Sequence, residues 1–216
     1  MSKKKEEKII EAVIEEKSKK DKPYFFPRMI AFIIDIILVS VISTLIVMVI
    51  PENENHKKYV EEYEQIQADY IDKKISEKEY INKSKDVVYD IDYTNTPSTI
   101  VQVVVLIGYF IVFQFYNKGQ TLGKKIMKLR VVSNEDKDLT LNQVAYRAII
   151  VDSILINILM IGAVLFIGRD YYYYTSFGLQ GLDALLIIIA LVMIIVRKDG
   201  RGLHDVIAKT KVISCK

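Results

Sequence analysis

The sequence predicts an all-α membrane protein: a four-transmembrane-helix bundle with cytoplasmic N- and C-termini. Three observations carry this. The 216 residues are 51% hydrophobic and 26% charged, and the two sets are segregated along the chain. A soluble domain would spread its apolar residues over periodic faces instead. Four apolar runs meet or approach the roughly 20 residues that cross a hydrocarbon layer about 30 Å thick: Met29–Ile50, Ser98–Tyr116, Ala148–Gly168 and Gly178–Val196. Finally, Lys and Arg divide unevenly between the connecting stretches. With both ends and the middle loop inside, 22 lie inside and 8 outside, as the positive-inside rule requires.

Each element follows in order. Residues 1–23 form a charged cytoplasmic tail, and residues 24–216 a membrane domain. The tail carries a small apolar patch, Ile9, Ile10, Val13 and Ile14, that suits either a solvated tail or a short helix on the membrane surface. The first 28 residues have no apolar stretch followed by a small-residue cleavage site, so the first helix is expected to be its own insertion signal. The outside loop, 51–97, holds twelve acidic and seven basic residues. Tyr59, Tyr63, Ile66 and Tyr70 share one helical face, and Ser76 followed by Glu79 reads as a capping box opening a second short helix. The expectation is a helical hairpin inserted outside the membrane. Its acidic excess either solubilises it or gathers cations. The run Tyr171–Tyr174 fits an interfacial aromatic belt between the third and fourth helices.

Two stretches repeat. Gly119–Ser133 (GQTLGKKIMKLRVVS) aligns without gaps on Gly200–Ser214 (GRGLHDVIAKTKVIS) at an offset of 81 residues, with Gly119/Gly200, Leu122/Leu203, Ile126/Ile207, Lys128/Lys209, Val131/Val212 and Ser133/Ser214 identical. Each copy follows an apolar hairpin, and both odd helices open with an Arg and then an Asp: Arg28 and Asp35, Arg147 and Asp152. This reads as a duplicated unit of two helices and an amphipathic cytoplasmic segment, giving two parallel hairpin repeats. Convergent wording at cytoplasmic helix ends is the other account.

Asp35 sits about 10 Å and Asp152 about 7 Å into their helices at 1.5 Å per residue. Carboxylates at such depth cost up to about 2.5–3.5 kcal/mol and face the bundle interior or water. Arg28 lies two turns from Asp35, too far for a direct pair without side-chain reach, so it should anchor at headgroups or find an acid elsewhere. Arg147 and Asp152 point apart on their helix and should also find partners on other helices. The two Asp residues either line a proton or ion path or hold the bundle together. Asp183, near the outer end of the fourth helix, is expected in water or headgroups. His204 and Asp205 are adjacent, so their spacing makes no catalytic dyad, although His204 could sense pH.

The chemistry of most enzymes is missing. HExxH, CxxC, GxSxG and dinucleotide fingerprints do not occur, the GQTLGKK segment lacks phosphate-loop spacing, and the single Cys215 offers no disulfide partner. No cofactor or metal and no enzymatic activity are expected. A net charge of +3 gives no case for nucleic acid as a partner. The partners expected are the lipid bilayer, a small ion or ligand, and further copies of the chain, since four helices scarcely enclose a pathway.

The stretch Arg28-xx-Ala31-xxx-Asp35, the segment Gly119-Gln-Thr-Leu-Gly-Lys124 with its Lys-Leu-Arg-Val-Val tail, and Asp199-Gly-Arg-Gly-Leu-His-Asp205 with its Lys-Thr-Lys-Val-Ile tail resemble the RDD family of bacterial membrane proteins. That family is named for one arginine and two aspartates. The resemblance makes Arg28 and Asp35 the first two, and Asp205, with Asp199 as the alternative, the third. It runs from about Tyr24 to the C-terminus apart from the long first loop. It implies a multispanning bundle in the cell membrane and transport of an unidentified ligand, with cation or proton exchange as one form. A membrane adaptor, binding a protein or anionic lipid through its amphipathic segments, is the competing reading.

Overall fold

The computed structural model describes residues 25–51, 53–135 and 137–215. The charged tail 1–23 and its apolar patch lie outside the described residues.

Helix α1, Phe25–Val47, is a mostly apolar helix of 23 residues that carries Arg28 and Asp35, about 34 Å long at 1.5 Å per residue. Helix α2, Glu54–Ile71, starts at Asn53, whose side chain accepts from the Asn55 N–H. Helix α3, Glu77–Leu106, opens on the expected capping box, Ser76 with Glu79. It does not stop as a short helix. It runs through Pro97 into the second span, continuing as a π-helical segment, Ile107–Phe113, and a last turn α4, Gln114–Tyr116. Pro97 removes one backbone donor, and membrane helices tolerate this where side chains meet the freed groups. Near it Thr94, Thr96 and Thr99 donate hydroxyl hydrogens to the Asp90, Asp92 and Asn95 carbonyls, none of which is the Tyr93 carbonyl that Pro97 leaves without its helical donor.

The middle segment forms helix α5, Leu122–Ile126, and strand β1, Leu129–Ser133. The third span is broken: α6, Leu141–Val151, and α7, Ile154–Phe166, meet at 65°. A single helix was expected there. The break falls at Ser153, whose φ of 53° is left-handed. Helix α8, Arg169–Val196, begins nine residues before the expected Gly178 and takes in all four tyrosines. Gly168, at φ 82°, ends the previous helix and lets the next one start at once. The chain closes with helix α9, Leu203–Ile207, and strand β2, Thr210–Ser214. Among the described residues three helices are long and apolar enough to cross a membrane, or four if the bent α6–α7 pair is one span.

The chain divides into two compact units. The first gathers residues up to Leu38, Tyr109–Ala148, and Ile188 onward. Its centre is a two-stranded sheet, so the two repeated segments are helix–turn–strand units rather than purely helical ones. Strands β1 and β2 pair antiparallel from Leu129↔Ser214 to Ser133↔Thr210. Val131 faces Val212 in the middle, and these are equivalent positions of the repeat. Both segments have identical element bounds at the 81-residue offset, and both turn through a left-handed lysine: Lys128 at φ 53° and Lys209 at φ 52°. Ala31 packs with Leu129, Val131 and Val212 beneath the sheet.

The second unit gathers Val39–Gly108 and Ile149–Ile187. Here α2 folds back on the start of α3, with Tyr70 and Tyr80 stacked at 4.7 Å and the Tyr63 and Tyr80 hydroxyls 3.2 Å apart. Ala163, Val164 and the buried Tyr172 form its core.

Candidate functional site: a buried arginine–aspartate cluster

Two aspartates of the first unit are almost fully buried, Asp35 at 1% and Asp205 at 0% exposure. Asp35 projects from α1. The Tyr109 hydroxyl donates to its Oδ1 at 2.6 Å, the Gly123 N–H donates to the same oxygen at 2.7 Å, and the Thr121 hydroxyl donates to Oδ2 at 2.5 Å. Tyr109 sits in the π-helical segment, where the wider turn re-aims side chains, a feature common at functional sites. Its hydroxyl also accepts from the Leu122 N–H. Gly123 has no substitute at this contact: a Cβ there would collide with the Ala31 carbonyl and come within 2.8 Å of Asp35 Oδ1.

Asp205 carries two arginines. Arg147 donates to its Oδ1, and Arg28 Nη1 lies 3.5 Å from Oδ2. The Gly202 N–H and the Thr210 hydroxyl donate to it at 3.2 Å each. Arg28 also donates to the Gly200 carbonyl at 2.7 Å. The buried arginines find in this carboxyl group the countercharge their burial demands. His204, 3% exposed, lies 3.4 Å from Asp205. Adjacent residues can therefore meet here, because they sit in the tight first turn of a five-residue helix. Burial, and then Arg147, Arg28 and Lys124, push His204 well below its ordinary value, so it stays neutral.

Among the sequence-selected residues, the structure brings Arg28, Arg147, His204 and Asp205 together. Arg28 bonds to Asp205 and not to Asp35. Asp199, the alternative third letter, is at the surface, bonded by Arg197 and Arg201. Asp152, 8% exposed, stands at the α6–α7 break and belongs to the other unit from Asp35. Tyr109, Thr121 and Thr210 complete the site beyond the residues singled out from the sequence. A signal existed for Thr121 and Gly123, which stand in the quoted Gly-Gln-Thr-Leu-Gly run. Asp183 was expected in water or headgroups, but it accepts from the Ser153 hydroxyl at 2.8 Å, and its Oδ1 is buried.

Long apolar helices with an Arg–Asp cluster at their ends define a multispanning integral membrane protein. The sequence model of the RDD family matches residues 22–209, and the chain belongs to that family. No curated protein and no solved structure matches it.

Proposed function

We propose that this protein moves or exchanges a small ion or ligand across the bacterial cell membrane, without enzymatic chemistry, and that Asp35 couples protonation to movement. The observation that carries this is the Asp35 clasp: a carboxylate within an apolar span, 1% exposed, gripped by three donors from the second span and α5. A bundle built for stability alone has no need of an intramembrane carboxylate. Protonated at Oδ2, Asp35 donates to the Thr121 hydroxyl instead of accepting from it, and its bonds from Tyr109 and Gly123 lose their charge assistance. The clasp then loosens, and α5 is free to leave α1. Arg28, Arg147, Asp205 and His204 form the fixed anchor against which that motion works, and Asp152 stands at the break in the third span. Both chain ends and the middle loop lie in the cytoplasm, α2 with the start of α3 is an insertion outside, and the two helix–turn–strand segments belong to duplicated hairpins. Further copies of the chain complete the pathway.

The test is proton- and cation-driven flux in proteoliposomes. Wild type shows flux and Asp35→Asn loses most of it. Equal flux from the two removes Asp35 from the mechanism.

One observation favours an adaptor instead. Ile126 and Ile207, equivalent in the repeat, are 63% and 52% exposed. Two symmetric apolar knobs beside lysines suit a partner protein or an anionic lipid surface. A stoichiometric partner pulled from native membranes, lost in the Ile126→Asp/Ile207→Asp double variant and accompanied by no flux, would establish that reading.

A further inference from the structure

The second unit contains a cavity of about 250 Å³ among α3, α7 and α8. This is room for about eight waters at ~30 Å³ each. Asp92, Gln102, Asn157, Gln180 and Asp183 line it with polar groups, while Ile156, Met160 and Ile161 of α7 supply hydrocarbon. Among the described residues no Lys, Arg or His lines it, and it holds two carboxyl groups, Asp92 and Asp183. We propose that this cavity binds a small organic ammonium ion, a primary amine with a short hydrocarbon body.

One feature points to an N–H donor, and its neighbour Ser153 lies at a break in the helix. Asp183 spends one oxygen on Ser153, while its Oδ1 is buried with no hydrogen-bond partner among the described residues. A buried acceptor left open is costly, and a positively charged donor meets that need best. Ser153 stands at the break between α6 and α7 in the left-handed conformation. Discontinuous helices of this kind supply substrate sites in membrane transporters. Asp92 is already fixed by the Tyr172 hydroxyl at 2.6 Å, so it adds field more than contact. The lining decides between cations. A hard metal ion wants oxygen ligands all round, and α7 offers mostly hydrocarbon. An alkylammonium carries three donors at one end and an apolar body at the other, which matches a cavity with both kinds of wall. Its volume is below that of drug-sized sites, so the ligand is a small one.

This gives the transport reading its substrate class and rests on that reading for its purpose, but binding is measured without flux, so the two fail separately. Full-length protein in detergent is titrated calorimetrically with ethyl- through pentylammonium. The expected result is saturable binding of butylammonium, with neither butanol nor sodium competing. Asp183→Asn weakens it about tenfold or more, as loss of a charge-assisted hydrogen bond requires. Gln102→Leu, a variant milder for folding, weakens it as well, and Glu61→Gln on the exposed face of α2 binds like wild type. The proposal is overturned if no amine in the series binds wild type saturably, if Asp183→Asn and Gln102→Leu both bind like wild type, or if sodium displaces the amine at equal concentration. Saturable binding by a protein that shows no flux would leave the site standing and remove the transport reading.

Discussion

Asp205 is the residue on which the first unit's electrostatics turn. It is the countercharge for two arginines, each about nine-tenths buried. Asp205→Ala removes the acid that both arginines contact in a buried site. We expect a stability loss of about 3–5 kcal/mol, the cost of breaking a buried pair by removing one partner, read as chemical unfolding in detergent. Asp35→Ala strands three donors instead of two charges, and about 1–3 kcal/mol for each unpaired group bounds the loss. A smaller loss from Asp205→Ala than from a surface substitution such as Asp199→Ala would mean that the arginines find other partners. His204 adds a pH dependence whose sign is fixed. Its folded value lies well below the ordinary 6.5, first because it is buried and then because Arg147, Arg28 and Lys124 repel a second positive charge. Below about pH 6.5 the unfolded chain takes up a proton that the folded chain refuses. Stability should therefore fall as pH drops below that value, by up to about 1.4 kcal/mol per pH unit, and stay flat above it. His204→Gln should remove this slope between about pH 6.5 and 5, where most carboxylates are still ionised. An unchanged slope in unfolding titrations would place the sensitivity elsewhere.

At the scale of elements, the repeated helix–turn–strand segments carry a strain that can be measured. Lys128 and Lys209 hold left-handed backbone at φ 53° and 52°, which costs a residue with a Cβ roughly 1–2 kcal/mol and glycine nothing. Lys128→Gly should raise stability by about 0.5–1 kcal/mol after glycine's greater chain entropy is counted. Lys209→Gly should gain a similar amount, since the ion pair it gives up with Glu135 is exposed and worth little. A loss in both, seen as a lower thermal midpoint, would show that the lysine side chains matter more than the backbone. These turns also mark how far the sequence was legible. The offset of 81 residues located both segments, and the Ser76–Glu79 capping box and the tyrosine face of α2 were readable because each depends on neighbours within one turn. Strand pairing was not, since Leu129 meets Ser214 across 85 positions and no local period encodes that. The run through Pro97, the break at Ser153 and the early start of α8 were missed for a related reason. Hydropathy measures apolar length, whereas these boundaries depend on individual backbone donors and on a left-handed residue that tertiary contacts hold in place. The candidate site divides the same way. Its charged members were visible as costly residues in or beside apolar runs, but which arginine meets which aspartate is set by the packing of segments far apart in the chain.

At the scale of the whole molecule, the pairing of β1 with β2 bears on topology. If the two strands of the shared sheet keep the middle loop and the C-terminus on one side of the membrane, the chain between them is expected to cross an even number of times. Helix α8 is one crossing. The bent pair α6–α7, a broken span or a re-entrant loop, is then expected to be the other, because a re-entrant loop there would put β1 and β2 on opposite faces. This supports four crossings, and with the concentration of Lys and Arg in the ends and middle loop it supports an inside location for both strands. Cys215, the chain's single cysteine, follows β2 directly and is half-buried, so it is a native reporter. A membrane-impermeant maleimide should leave it unlabelled in intact cells and label it in inverted vesicles. Lys125→Cys in a Cys215→Ser background should behave in the same way, since α5 is joined to β1 by a two-residue turn. Lys57→Cys on the exposed face of α2, in the same background, should label in intact cells. Labelling of Cys215 from outside with Lys57→Cys protected would invert the orientation and leave the crossing number intact. Labelling of Lys125→Cys and Lys57→Cys from the same side would break the crossing count itself, and with it the duplicated-hairpin reading, because one span must separate α2 from α5 if the sheet joins two parallel repeats.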